Sequence, residues 1–446
     1  MRPTYTRFGL VLAALTLTAC SGLLDVRDPD IINPGDVQNA DGAIAAYNGA
    51  IGDFAFANDG DAGGTEGQIL VSGVMSDEYI DVETFPTRIE YDSRAIAERN
   101  GTLTAVYFNL HKARVALEGA ASALQQYLDT SKTRIGEMLA LAGFTYVYFA
   151  ENYCSAVPFS ERQPDGSILY GDPETTTQIL DRAISRFDSA LGITATPSIL
   201  RLASVGKARA LLDKGDFAGA NTAAAGVTPG QYLMPHSSST NRQKNGVFVF
   251  NNQAPLGTAR FGVSDVEGTN GLNFRAAADP RVVTTLRGKG FDNTSDLYVL
   301  LKYTSETSPV PVATYVEARL IRAEAALHGA TPPAAIDTLN AIRADAANNG
   351  GFTLAALADP GTAAARENLL FRERAFWLFA TGHRLGDLRR LARAPYGRPV
   401  NTIYPIGPYP KGTVYGSNTE LPVPFDERNN PNYLQAFPNG CDYNTP

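Results

Sequence analysis

"ENLLFRERAFWLFATGHRLGDLRRL" (367–391) is the stretch on which the fold turns. It lies in a helical block expected over 362–393. Its centre, "AFWLFA" (375–380), is apolar all round, the mark of a helix buried on every face. That assigns Trp377, the only tryptophan, to the core. Gly382, His383 and Arg384 then interrupt the run, and Asp387 follows. This reads as a helix junction whose angle is set by hydrogen bonds and ion pairs, and His383 is accordingly a structural residue.

Helical signals dominate the chain on the N-terminal side of this block. Asp36 is a plausible N-cap for a first helix carrying Ile44, Tyr47 and Ile51. Residues 58–93 are rich in Gly and Asp and then in aromatics, and read as long loops. Val106, Leu110, Ala113, Leu117, Ala120 and Leu124 give a helical stripe over 102–128. Further helices are expected over 134–153 and 174–191. An internal echo follows, since "KARALLDKGDFAGANTAAAGV" (207–227) and "EARLIRAEAALHGATPPAAIDTLNAIRADA" (317–346) share one design. Each is an Ala-rich helix, a break at Gly215 or Gly329, and a second helix with alanines at close-packing positions. This is the helix pair of tetratricopeptide-like repeats. The wide spacing of the two copies excludes a regular solenoid and implies a large insertion, 228–312. Within it "GVFVFNN" (246–252) and "LYVLLKY" (297–303) look like strands. Residues 394–446 hold ten prolines and no sustained period, and read as an irregular tail wrapped on the helices.

The N-terminus carries an address. Arg2 and Arg7 precede an apolar run, Phe8 to Leu17, too short to span a bilayer and of the length of a signal-peptide core. "LTAC" (17–20) resembles the lipobox of bacterial lipoproteins. That resemblance implies cleavage before Cys20, triacylation of Cys20, and a lipid tether over 20–36 after a signal peptide over 1–19. Three acyl chains make a lasting anchor where one is marginal. Residues 21–26 lack a strong acidic export signal, so the leaflet is left open.

Without Arg2 and Arg7 the mature chain keeps 36 of 38 basic residues against 46 acidic ones, a net charge of −10. An acidic chain without a basic run has no electrostatic reason to bind nucleic acid. No second apolar segment reaches 18 residues. The chemistry of common enzyme motifs is missing too: the sequence holds no P-loop, H-E-x-x-H, C-x-x-C or G-x-S-x-G. His111, His236, His328 and His383 lie in separate segments without metal-ligand spacing. No catalytic residue, metal or cofactor is expected.

The block 367–391, with "ARLIRAEAAL" before it and "LPVPFDERNNPNYLQ" (421–435) after it, resembles the RagB/SusD family of outer-membrane nutrient-uptake lipoproteins. The matching residues are Glu373, Arg374, Gly382, His383, Arg384, Asp387, Leu388 and Arg389, joined by "LLDV" (23–26), "DPRV" (279–282), Leu421–Pro424 and Asn430–Asn432. Trp377 and Thr381 depart from the family, which more often has acidic residues there. The resemblance implies a mainly α fold, a tetratricopeptide-like helix-pair bundle supporting a loop-rich, partly β half. It divides the chain into a helical body (37–227 and 313–393), the insertion 228–312 and the tail 394–446, all one domain. It also implies a non-enzymatic lid on a TonB-dependent, SusC-like β-barrel that captures an oligosaccharide or peptide. A surface protein-interaction scaffold without a small ligand is the alternative.

Two site expectations complete the reading. With Cys20 acylated, Cys154 and Cys441 are the remaining thiols in an oxidising compartment, and a bridge would pin the tail to the bundle. Two separate buried thiols are the other possibility. Ligand contacts are expected from loops rather than repeat helices. "SDEYIDVETFPTRIEYDSR" (76–94) offers Tyr79, Phe85, Arg88 and Tyr91, and "FGVSDVEGTNGLNFR" (261–275) offers Asn270, Asn273 and Phe274. Aromatic faces beside amides and charges suit a polar oligomer.

Overall fold

The structure, a computed structural model, describes residues 38–163, 165–252 and 259–446. Cys20, the tether and Asp36 lie outside the described residues. The first helix, α1 (Ala40–Asp59), begins later than expected, because Asn39 takes the cap and accepts the Gly42 N–H at 2.9 Å. The segment expected as long loops contains α2 (Gln68–Met75), β1 (Tyr79–Asp81) and α3 (Pro86–Asp92). The two helices have 8 and 7 residues and the strand only 3. Moreover α2, "QILVSGVM", is buried on every side, so it carries no period to read.

The long helices α4 (Gly101–Tyr127) and α5 (Lys132–Asn152) stand within two residues of their expected bounds. All six stripe residues of α4 are buried. Four two-residue strands follow: β2 (Val157–Pro158), β3 (Glu161–Arg162), β4 (Ile168–Leu169) and β5 (Pro173–Glu174), paired β2 with β5 and β3 with β4. A capping box of Thr175 and Gln178 then starts α6 (Thr176–Ile193). Next come α7 (Pro197–Asp213) and α8 (Phe217–Ala225), hinged at Gly215, whose φ of +78° suits glycine. Small residues let these helices close up. The ring of Phe187 on α6 fills a notch between Gly143 of α5 and Gly206 of α7, where an added Cβ would lie 2.6 and 2.3 Å from ring carbons.

The insertion holds β6 (Gln231–Met234), α9 (Gly246–Asn252), β7 (Phe261–Val263), β8 (Thr284–Lys289), β9 (Asp296–Leu300) and β10 (Val310–Thr314). Antiparallel pairing of β6 with β10, Gln231 opposite Thr314, ties its two ends together. β8 pairs with β9, and β7 reaches back to pair with β1. "GVFVFNN" is therefore a helix, α9, not the expected strand. Asn245 caps it by accepting the Phe248 N–H at 2.9 Å, and that local bond with all-round burial overrides the β-propensity of Val247 and Val249.

The chain then enters α10 (Tyr315–Leu327), α11 (Ala334–Arg343), α12 (Ala363–Trp377) and α13 (Arg384–Ala392). Neighbouring helices pack in sequence from α4 to α8, and α1 packs along α4. Across the insertion α10 packs against both α7 and α8, so the two echoed pairs meet. The tail is irregular apart from short 3₁₀ turns and α14 (Pro431–Ala436). It runs beside the end of α5, where Leu421 accepts from the Cys154 N–H at 3.0 Å and donates to Asn152 O at 2.8 Å. A disulfide joins Cys154 to Cys441, with Cα atoms 6.1 Å apart. Among the described residues no helix is long and apolar enough to cross a membrane.

Candidate functional site

Pairing of β1 with β7, Tyr79 opposite Val263, brings the two expected ligand loops together, but mostly as core. Tyr79 is fully buried, with its ring 5.6 Å from that of Phe379. Phe274 is fully buried between Phe376 and Phe379, at 5.1 and 4.8 Å. Tyr91 is equally buried, and its hydroxyl donates to Glu66 at 3.2 Å. Arg88 is spent on Glu66 and, at 2.7 Å, on Glu83. Asn273 accepts from Arg372 at 2.9 Å, and Asn270 donates to Asn401 O at 3.3 Å. As stacking platforms Tyr79, Tyr91 and Phe274 are thus corrected: their faces are inside. Of the expected aromatics only Phe85 is exposed, at 52%. The polar residues that suggested solvent contact are paired with one another, as Lys411 is with Asp81 (2.6 Å) and Asp292 (2.9 Å).

An open cleft lies elsewhere, where the insertion meets the second helix pair. It is a cavity of about 690 Å³, within the usual size of a ligand pocket. Its walls come from β6, the segment before β8, the residues just after β9, β10, the first turn of α10, the turn after α11, and the end of α12 with the corner that follows it. Three half-buried aromatic residues line it: Tyr315, Phe352 and Trp377. The rings of Phe352 and Trp377 are parallel within 6°, with centroids 6.0 Å apart. Val283 and Leu301 add apolar surface at the mouth.

Trp377 is therefore not a core residue, contrary to the reading of "AFWLFA". It is the last residue of α12, so its side chain reaches the boundary with the 346–352 turn instead of the bundle interior. Its indole N–H donates to Glu373, one turn back, at 3.2 Å. Glu373 also receives Arg281 at 2.8 Å and Arg343 at 2.7 Å. Arg281, in the "DPRV" segment, caps the arrangement with its guanidinium 4.9 Å from the tryptophan ring.

Beyond Trp377 the chain turns sharply through Ala380 (φ +58°) and Gly382 (φ +74°) into α13. Hydrogen bonds with three side chains hold this corner. The Ala380 N–H donates to Glu78 at 3.1 Å, Tyr303 donates to Ala380 O at 3.0 Å and Lys302 to Phe379 O at 2.7 Å. Burial pushes the Glu78 carboxyl up to about 8 and pulls the Lys302 ammonium down to about 8. His383 lies 2.9 Å from Thr381 Oγ1, 2.9 Å from Arg209 and 3.0 Å from Glu317. Burial first, and then the Arg209 charge, lower its pKa. It is a packed, neutral corner residue held by Thr381, Arg209 and Glu317. No cluster of three or more His, Cys, Asp or Glu suited to a metal occurs among the described residues.

Solved structures resemble this architecture over nearly their whole length. A SusD superfamily protein from Parabacteroides distasonis superposes with a TM-score of 0.66 at 16% identity, covering 88% of this chain and 98% of the other. This is the SusD fold. Surface glycan-binding protein A from Bacteroides thetaiotaomicron also gives a TM-score of 0.66, at 11% identity, with 88% and 97% of the two chains covered. A laminarin-binding SusD-like protein gives 0.62 at 15% identity, covering 87% and 97%. No family model matches the sequence, and no curated relative does either. The SusD-fold likeness therefore rests on shape, at identities where helix packing persists and side chains differ. Phe352, Tyr315, Gln231 and Lys302 were not singled out from sequence, and the "DPRV" arginine was noted only as a match. The legible signal was Glu373 placed four residues before Trp377.

Proposed function

We propose that this protein is a non-catalytic capture protein for an extracellular nutrient oligosaccharide. The observation that carries the reading is the near-complete superposition on SusD-like structures, of which one is named as laminarin-binding and another as a surface glycan-binding protein. A cleft with three half-buried aromatic residues supports it, because sugar rings stack their C–H faces on such surfaces while amides take their hydroxyls. In this reading Cys20 carries the lipid anchor at the outer membrane and a TonB-dependent β-barrel receives the ligand. The test is isothermal titration of the mature chain against a panel of polysaccharides, with co-purification of the barrel from membranes. Saturable binding of one glycan supports capture. Co-purification of the barrel with no glycan bound favours the scaffold alternative and sinks the reading.

A further inference from the structure

We infer that the cleft lined by Tyr315, Phe352 and Trp377 selects an uncharged saccharide, with Gln231, Asn348 and Asn349 reading its hydroxyls. This deepens the capture reading and rests on it. Charge accounting around the cleft carries the argument. Arg281, with its side chain 4% exposed, directs N–H groups to both oxygens of Asp279 and both of Glu373, at 2.7 to 3.1 Å. Lys302 lays its stem along the mouth, but its ammonium turns inward to the Phe379 carbonyl. The one lining carboxylate, Glu317, is 2% exposed and faces His383 at 3.0 Å and Arg209 at 4.0 Å. Arg281 is thus neutralised by carboxylates, Glu317 faces the wall behind it, and the Lys302 ammonium is turned to a carbonyl instead of into the cleft.

A uronate, a sulfate ester or a peptide carboxylate entering this space would shed water and meet no cation directed at it, since Arg281 is held by two carboxylates and the Lys302 ammonium by a carbonyl. That desolvation is unfavourable and is not repaid. A hydroxyl-rich neutral ligand meets the opposite situation. The Asn348 side-chain nitrogen is bound to Asp345, which leaves its carbonyl oxygen for a donor. Asn349 is 6% exposed, and its amide oxygen has no partner. Gln231, at the edge of the β6–β10 pair, is exposed, and its side-chain amide makes no hydrogen bond among the described residues. Amides that each donate or accept suit hydroxyls, which do both.

The experiment titrates the mature chain with uncharged polymers (laminarin, starch, galactomannan, xyloglucan) and anionic ones (polygalacturonate, chondroitin sulfate, heparin). Each titration is run at 50 and 500 mM NaCl. Expected is binding of an uncharged polymer with affinity unchanged within twofold by salt, since no ion pair is screened. Phe352→Ala and Gln231→Ala, both on the outer wall, should weaken it about tenfold and several-fold at unchanged melting temperature; Trp377→Ala should abolish it. Preference for an anionic polymer, or affinity that falls steeply with salt, overturns the inference while leaving capture standing. Neutral binding that survives Phe352→Ala and Gln231→Ala overturns the placement. Failure of every polymer removes the capture reading itself.

Discussion

Replacing Asp387 by Asn probes whether the block 367–391 holds the fold by buried ion pairs. Asp387 is 1% exposed and accepts from Arg374 at 2.9 and 2.8 Å and from Arg390 at 2.8 Å. Burial alone would raise its pKa, but the two guanidinium groups hold it well below the usual carboxylate range. Removing one member of a buried pair costs about 3–5 kcal/mol. Here both arginines keep Glu324, at 3.4 Å from Arg374 and 3.0 Å from Arg390, so the lower end, about 3 kcal/mol, is expected. With an unfolding entropy near 2.1 cal/mol/K per residue, a body of roughly 400 residues should lose about 3–4 °C in Tm. The pH dependence separates this from a packing defect. A carboxylate whose folded pKa is depressed contributes stability above its unfolded pKa, near 3.9, and loses it as pH falls towards the folded value. Urea unfolding of both proteins at several pH values is the assay. Their difference should be constant from pH 7 to 5 and shrink below about pH 4. A difference under 1 kcal/mol at pH 7, or one that persists unchanged at pH 3, would refute the ion-pair argument.

Three further perturbations test other parts of the structure. Gly206→Ala should destabilise by about 1–2 kcal/mol despite better helix propensity, because Phe187 is clamped from two sides; adding Phe187→Leu should recover part of the loss in thermal melts. Glu78→Gln should stabilise increasingly as pH rises from 5 to 8. The wild-type carboxyl, with a folded pKa of about 8, loses stability over that range and the amide does not; the gain should reach roughly 3 kcal/mol by pH 8, and a flat difference across pH would exclude the effect. Cys441→Ser opens a loop closed across a sequence separation of 287, for which the chain-entropy model allows at most about 6 kcal/mol. Limited proteolysis should then cut within 421–441 before the helices, and an unchanged digestion pattern would show that the tail is held without the bridge.

The long helices were legible because each has a face. α4 buries Val106, Leu110 and Leu117 at a period that survives for seven turns, and the paired helices around Gly215 announce themselves by alanine content and a break. Elements short enough to be buried whole were not legible. α2 and α9 have no exposed side to mark a period, and the valines of α9 point to a strand until the Asn245 cap is known. Similarly, "SDEYIDVETFPTRIEYDSR" looked solvated because it is charged. Its charges are neutralised inside, Arg88 by Glu83 and by Glu66 outside the stretch, and Asp81 by Lys411 of the tail. Partners hundreds of residues away cannot be read from local composition.

The tryptophan shows how the fold network and the cleft depend on each other. Six consecutive apolar residues imply burial only while the helix continues, and α12 ends at Trp377. An indole N–H taken out of water needs an acceptor, and Glu373 sits where one helical turn delivers it. Glu373 is itself buried, so it needs cations, and Arg281 and Arg343 supply them from the insertion and from α11. Those two arginines are thereby consumed in fixing the aromatic wall. The ion pairs that join the insertion to the helical body are thus the ones that turn these cations away from the cleft. A variant designed to admit an acidic sugar would have to release Arg281 from Glu373, loosening Trp377 as it did so. Charge selectivity and rigidity of this wall are therefore one property and should change together.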